Sequence, residues 1–256
     1  MTSKQRVRLA FIQIGPRSSL GYLDRFRALF PEEVVLDVTT LAQEGETFNP
    51  FFQGQADLYF ERVVGLVRKN NWDGIMLPVG PIQAYNPGLV DQIREAVTIP
   101  VASSLDSTAE ALLAFGVRRA LLISPYSEDL NRMIQEFRVM QGIEEVHPTP
   151  AFGRSAVHSE NVAMAVKLSS EDLYEMGIRG FRGVEDIQAI HFQGGRLDPL
   201  MGDPKTVLER LETDCGLPVV ASNPAMAWHV LSMLGQPHSF VRGGRLLVEW
   251  PPLPAR

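Results

Sequence analysis

The 256 residues are 45% hydrophobic and 21% charged, enough apolar surface for one large or two smaller packed α/β domains and too much for disorder. With 24 basic against 30 acidic residues, a net charge of -6 and no long basic run, the chain lacks the electrostatic footprint of a nucleic-acid binder. Its single cysteine, Cys215, excludes an internal disulfide and a thiolate metal site.

Short apolar runs rich in Val, Ile and Leu predict strands at Arg8–Ile14, Val34–Val38, Gly74–Leu77, Val101–Ser103, Ala120–Ile123, Ile187–Phe192 and Val219–Ala221. Between them, longer amphipathic stretches predict helices at Ser19–Leu29, Ala56–Asn70, Asn86–Ala96, Ser107–Phe115, Ser127–Gln141, Ser169–Gly180, Pro204–Thr213 and Pro224–Leu234. Caps mark several starts: Asp106-Ser107-Thr108 before Glu110, Ser127 before Glu128, and Ser169-Ser170 before Glu171-Asp172. Strands alternating with helices imply right-handed βαβ units and parallel sheets. The tail Trp250-Pro251-Pro252-Leu253-Pro254 reads as an extended terminal segment. No apolar run reaches the roughly 18 residues of a membrane span, and the first strand lacks the features of a signal peptide. No membrane partner and a cytoplasmic location are expected.

An internal repeat sets the domain organisation. Ile99-Pro100-Val101-Ala102-Ser103-Ser104 recurs as Leu217-Pro218-Val219-Val220-Ala221-Ser222, and Leu77-Pro78-Val79-Gly80 has a counterpart in Phe192-Gln193-Gly194-Gly195. This offset, roughly 110–120 residues, is too long for a solenoid and predicts a duplicated α/β fold. Residues 1–116 form the first lobe, 117–235 the second, and 236–256 a C-terminal segment packing back on the first. Ligands of parallel sheets bind beyond the strands' carboxyl ends, so the cleft between the lobes is expected at Pro16–Ser19, Gly80–Gln83, Ser103-Ser104, Ser124–Ser127, Gln193–Arg196 and Ser222–Pro224.

The residues at these loops fit either chemistry or structure. Gln193 cannot exchange protons, but its amide can donate to a carboxylate or oxyanion, and Gly194-Gly195 lets backbone N–H groups approach a ligand. His191 lies two residues earlier, on the same side of the strand. It suits acid–base work as well as a hydrogen-bonded core position. Tyr126 offers a phenolic donor with an ordinary pKa near 10, Arg17 a bidentate carboxylate contact, and Ser18 and Asn223 polar helix starts. Gly80, Pro81, Tyr85 and Ser124 complete the candidate substrate contacts. His158, in the loop-to-helix stretch Ala151–Asn161, is a further candidate acid or base. There is no phosphate-binding Gly-Lys-Ser/Thr loop, no dinucleotide glycine fingerprint and no Gly-x-Ser-x-Gly elbow. Histidines 147, 158, 191, 229 and 238 show no metal-ligand spacing. No cofactor and no metal are expected.

The order of these loops resembles the aspartate/glutamate racemase superfamily, and within it the branch of maleate cis–trans isomerases and arylmalonate decarboxylases. The resemblance runs over about residues 8 to 235 and is strongest at Ser107–Tyr126, Ile190–Leu197 and Leu217–Trp228. It implies two lobes closing on a small carboxylate without a cofactor, contact between Tyr126 and the substrate, and closure of the segment around His158 over the cleft. It also implies a dimer. In that superfamily cysteines at the ends of equivalent strands move protons or attack an alkene, and the decarboxylases keep only the second-lobe cysteine, which protonates an enediolate. The matching positions here are Val79-Gly80 and Gln193, while Cys215 sits between a helix and a strand. The expectation is therefore a decarboxylase-like enzyme that stabilises an enolate or oxyanion without a cysteine proton donor. His191, His158 and Tyr126 are its candidate catalytic groups. A lyase or hydrolase using a histidine or bound water, and a non-catalytic carboxylate-binding protein, are the alternatives.

Overall fold

The computed structural model describes residues 6–14, 23–42, 52–147, 164–165, 167–194, 197, 199–200, 205–236 and 240–255. Among them, β1 (Val7–Gln13), α1 (Leu23–Arg27), β2 (Val34–Thr40), α2 (Ala56–Lys69), β3 (Gly74–Leu77), α3 (Gly80–Tyr85), α4 (Leu89–Ala96), β4 (Val101–Ser103) and α5 (Ser104–Ala114) make the first half. The second half repeats the alternation with β5 (Arg119–Ile123), α6 (Glu128–Met140), β6 (Glu144–Val146), α7 (Ser170–Gly183), β7 (Ala189–Phe192), α8 (Val207–Cys215), β8 (Val219–Ala221) and α9 (Ser222–Met233). A short α10 (Arg245–Glu249) follows.

Two four-stranded sheets result, in the orders β2-β1-β3-β4 and β6-β5-β7-β8, every pairing parallel. The chain is thus the expected α/β fold of two equivalent parallel sheets flanked by helices. Leu9, Phe11 and Met76 of the first sheet share one apolar core with Leu121, Ile190 and Phe192 of the second. On the first sheet's other face, Ile12, Ile75 and Leu77 pack with Tyr59, Val63, Val90 and Ile93 of α2 and α4. Each fully buried aliphatic side chain of this kind contributes about 1.5–3 kcal/mol.

The last helix of each half lies at the junction. α9 packs along α5 and reaches β3 and β4 of the first sheet, while α5 reaches β8 of the second. Gly74 makes this approach possible, because a Cβ there would stand 2.6 Å from Val230 Cγ2. Ser107 Oγ and His229 Nδ1 join the two helices at 3.0 Å in a buried setting. Beyond them, Trp228 Nε1 donates to the Pro251 carbonyl at 3.0 Å, and Phe240 stacks on Trp250 while meeting Phe30 edge-on.

Several boundaries differ from the sequence expectation. β6 was not foreseen, since Glu144-Glu145-Val146 reads as polar. The helix expected over residues 86–96 begins only at Leu89, after Gly88 at φ 81°, and it is preceded by an unforeseen short α3 that ends where Asn86 donates back to Ile82. α5 starts at Ser104 rather than 107, because Ser103 is the cap and its hydroxyl accepts from Asp106 N. α8 begins after Thr206, whose capping box with Glu209 sets the start. α10 was not foreseen; the expected tail after it, from Trp250, carries no helix or strand.

Candidate active site

Because all strands in each sheet run one way, their carboxyl ends bring Val79-Gly80, Ser103-Ser104, Ser124–Tyr126, Gln193-Gly194 and Ser222-Asn223 to one edge of each sheet. Across the junction, Gly80 of the first half faces Gln193 of the second. A Cβ on Gly80 would lie 2.9 Å from Gln193 Nε2, 3.4 Å from Ser104 Oγ and 3.5 Å from Leu105 Cδ2. Gly80 and Gln193, from the strand ends of the two halves, are therefore neighbours.

Gln193 is 1% exposed, and its N–H still donates to Ile123 O at 2.9 Å, one step beyond β7. Its Oε1 is 3.5 Å from both the Thr108 hydroxyl and Arg138 Nη2. The Tyr126 side chain is hydrogen-bonded to the Gln193 side chain, and burial raises the phenol well above its ordinary pKa, so it stays a protonated donor. Gly194 takes φ 109°, and a Cβ there would meet Pro125 Cδ at 3.1 Å and Tyr126 Oη at 3.2 Å; only glycine fits this turn without strain. Its N–H donates to Ser222 Oγ at 3.2 Å.

Beside these groups is a small recess, lined by the apolar Leu197, Pro199, Leu200 and Ala221 and by Gly194, Ser222 and Asn223. Ser104 Oγ, Asn223 Oδ1 and Gln83 Oε1 are buried without a hydrogen-bond partner. Buried polar atoms usually have partners, so three such atoms near one strand edge mark where a polar ligand would be held.

Beneath Gln193 lies a buried ionic network. Register places Glu145, Ala120 and Ala189 in one row and Leu122 and His191 two rows on. Alternation puts Glu145 and His191 on one face of the second sheet. His191 Nδ1 and Glu145 Oε1 are 2.5 Å apart, Arg138 Nε is 3.3 Å from the same oxygen, and all three side chains are fully buried. Arg138 Nη1 donates to Leu105 O at 2.5 Å and to Gln141 Oε1 at 3.3 Å, and Nη2 donates to the Thr108 hydroxyl. Burial pushes the His191 pKa down, against the pull of Glu145. For Glu145, burial pushes upward but the facing His191 and Arg138 more than offset it, and the carboxyl lies below its ordinary range.

The predicted residues sort as follows. Gly80, Pro81, Tyr126, Gln193, Gly194 and Asn223 come together at the strand ends. Tyr85 closes α3 against Leu105, Tyr126 and Ile134. Ser124 is at the edge but engaged, its hydroxyl donating to Asn131 Oδ1 at 2.5 Å and accepting from Tyr126 N. His191 is in the core, bound to Glu145, rather than at the surface of the cleft. Arg17, Ser18, His158 and Gly195 lie outside the described residues. Cys215 is the last residue of α8, before β8 and so at the opposite end of the sheet from Gln193; burial raises its thiol pKa. Among the described residues no group of three or more His, Cys, Asp or Glu is arranged to hold a metal, and no helix is long and apolar enough to cross a membrane.

Sequence reasoning missed Arg138, Glu145, Thr108 and the individual role of Ser104. One signal was present: Leu130, Ile134 and Arg138 fall at i, i+4 and i+8 on the buried stripe of α6, and a charge on an apolar stripe requires a partner.

Residues 81–247 match the family model described as arylmalonate decarboxylase. The arylmalonate decarboxylase of Bordetella bronchiseptica is 28% identical over 152 residues, which are 59% of this chain and 59% of that protein, so the alignment spans less than two thirds of the relative. A liganded crystal structure of an arylmalonate decarboxylase bearing a glycine-to-cysteine and a cysteine-to-serine substitution superposes with a TM-score of 0.75 at 22% identity, covering 95% of this chain and 99% of that one. A maleate cis–trans isomerase from Nocardia farcinica with a covalently bound succinylcysteine intermediate gives 0.72 at 19% identity, over 95% and 98% of the two chains. The maleate isomerase of Pseudomonas putida S16 with maleate gives 0.67 at 16% identity, over 94% and 97%. At these identities the structural likenesses establish the shared fold.

Proposed function

The chain belongs to the arylmalonate decarboxylase family, and from that premise we propose that it is a cofactor-independent enzyme that decarboxylates a small malonate-type acid through an enediolate held by uncharged donors. The observation that carries this is the meeting of Gly80 and Gln193 at the junction of the two halves, which sets an amide donor beside the strand ends. Loss of carbon dioxide breaks one bond from the α-carbon to a carboxylate. Its electron pair passes into the remaining carboxylate, which becomes the enediolate. Charge then concentrates on two oxygens, which Gln193 Nε2, the Ser104 hydroxyl and the Tyr126 phenol are arranged to receive. Donors aimed at developing charge in a water-poor site are each worth about 3–4 kcal/mol of barrier.

The α-carbon must finally gain a proton. Cys215 is at the far end of the sheet and His191 is occupied with Glu145, so in this proposal the proton comes from water. The apolar side of the recess, Leu197, Pro199, Leu200 and Ala221, suits the hydrocarbon substituent of such an acid.

The test is a panel of arylmalonates, alkylmalonates and maleate incubated with the protein in deuterated water and followed by NMR. The expected result is a monoacid bearing one deuterium at the α-carbon, with maleate unchanged because no cleft thiolate is present to add to the alkene. Binding of these acids with neither turnover nor exchange would assign the cleft to ligand binding and overturn the proposal.

A further inference from the structure

We propose that Arg138 and Glu145 are positioning residues that hold the Gln193 carboxamide with its oxygen toward the protein and its NH2 toward the cleft. This rests on the reading above that the Gln193 amide faces the substrate.

The two ends of a glutamine amide have the same shape and opposite hydrogen-bonding character. A guanidinium has five donors and no acceptor, and Arg138 Nη2 is 3.5 Å from Gln193 Oε1. Turned over, the amide would set its NH2 against that guanidinium and lose the donor that now faces Gly80. The Thr108 hydroxyl accepts from Arg138 Nη2 and gives its own hydrogen to Ser104 O at 2.8 Å, so it holds the guanidinium rather than the amide. The Arg138 guanidinium is therefore the group that selects the end of the amide.

Arg138 is itself immobilised. Leu105 O and Gln141 Oε1 hold Nη1, and Glu145 sits against Nε. Glu145 is aimed by His191 Nδ1 at 2.5 Å, and the small Ala120 and Ala189 in its row leave room for the carboxylate. The support thus runs from β6 at the sheet edge, through α6, to the residue that ends β7. Apolar side chains of similar volume would fill this space without the desolvation cost of buried charges, but they would leave the amide free to turn.

The test uses the full chain with Arg138→Met and Glu145→Gln combined, so that no charge is stranded. In protein labelled with 15N-glutamine, the Gln193 side-chain signals, assigned by their loss in Gln193→Ala, are expected to shift and to exchange with solvent at least about tenfold faster than in the parent. If the parent turns over a malonate, the paired substitution is expected to lower kcat about tenfold or more, with KM changing less, since small misplacement of a reacting group costs up to about 10²-fold. The same pair placed in Gln193→Ala is expected to cost less than about twofold, because the residue it positions is gone. Unchanged amide signals in the folded paired variant, or an equal loss in both backgrounds, would overturn the proposal. If no acid turns over, it is the decarboxylase reading that has failed, and the amide signals still decide the positioning role. Should the paired variant not fold, Arg138→Lys serves instead: it keeps Glu145 paired while withdrawing the Nη2 donor from Gln193.

Discussion

Gly80 and Gln193, 113 residues apart in the chain, touch across the junction of the two sheets, with Gln193 Nε2 2.9 Å from the point a Cβ on Gly80 would occupy. Contact this close leaves no slack. Any side chain at position 80 must push the amide away from the place where it would meet a ligand.

Gly80→Ala is therefore expected to lower kcat for the malonate substrate by about tenfold or more, while the cost in stability stays within the roughly 1–3 kcal/mol of local overpacking. Steady-state kinetics beside urea unfolding separate the two. An alanine variant with parental kcat would mean that the amide is not used where it stands.

Gln193→Cys places a thiol just beyond β7 and leaves a smaller side chain beside Gly80. If water supplies the α-proton in the parent, a prochiral disubstituted malonate should give racemic product, because water can approach either face. The cysteine variant is expected to enrich one enantiomer and to gain a rate that rises with the fraction of protonated thiol. Chiral chromatography of the product reads this directly. A parent product already of one hand would show that a fixed group, not solvent, delivers the proton.

Arg138→Met by itself strands a buried carboxylate and is expected to destabilise by about 3–5 kcal/mol, the usual cost of breaking a buried pair from one side. The pH dependence follows. With Glu145 held below its unfolded value in the parent, its contribution is present above the unfolded pKa and lost as pH falls through the folded one. Without Arg138, burial is opposed only by His191 and His147, so acid unfolding should begin at higher pH. Circular dichroism across an acid titration of both proteins gives the comparison.

Glu212 makes the opposite contribution. Burial raises its carboxyl to about 7, although the N–H groups of Val219 and Arg245 and the Arg245 charge pull it down. A raised folded pKa gives stability that is full below the unfolded value, ordinarily near 4.3, and that is lost as pH rises toward 7. The amount is on the order of 3 kcal/mol at 1.36 kcal/mol per pH unit. Glu212→Gln, which keeps an acceptor for Val219 and Arg245, is expected to flatten unfolding free energy between pH 5 and 8 and to exceed the parent at pH 8. A parent that gains stability over that interval would show that the three N–H contacts outweigh burial.

Much of this architecture was legible before any coordinates. Seven of the eight described strands follow from short runs of Val, Ile and Leu, because strands buried on both faces exclude polar residues almost completely. β6 escaped because an edge strand of three residues with two glutamates carries no such pattern. The strand-end loops were also legible, since parallel topology alone sends every carboxyl end to one side. Gly80, Gln193, Gly194 and Tyr126 were singled out on that basis. His191 was singled out too, but alternation could say only which face it shares with Gln193, not that Glu145 would bind its ring.

By itself, then, the sequence determined the duplicated parallel α/β fold and the loops at its strand ends, because these depend on local periodicity and on parallel topology. Only the tertiary structure decided that Gly80 meets Gln193, and that Arg138, Glu145 and His191 lie buried behind that amide. Apart from the pairing of Arg138 with Glu145, such contacts are made between residues from about 46 to 113 positions apart, and the direction in which an amide points is set by donors that no window of sequence contains.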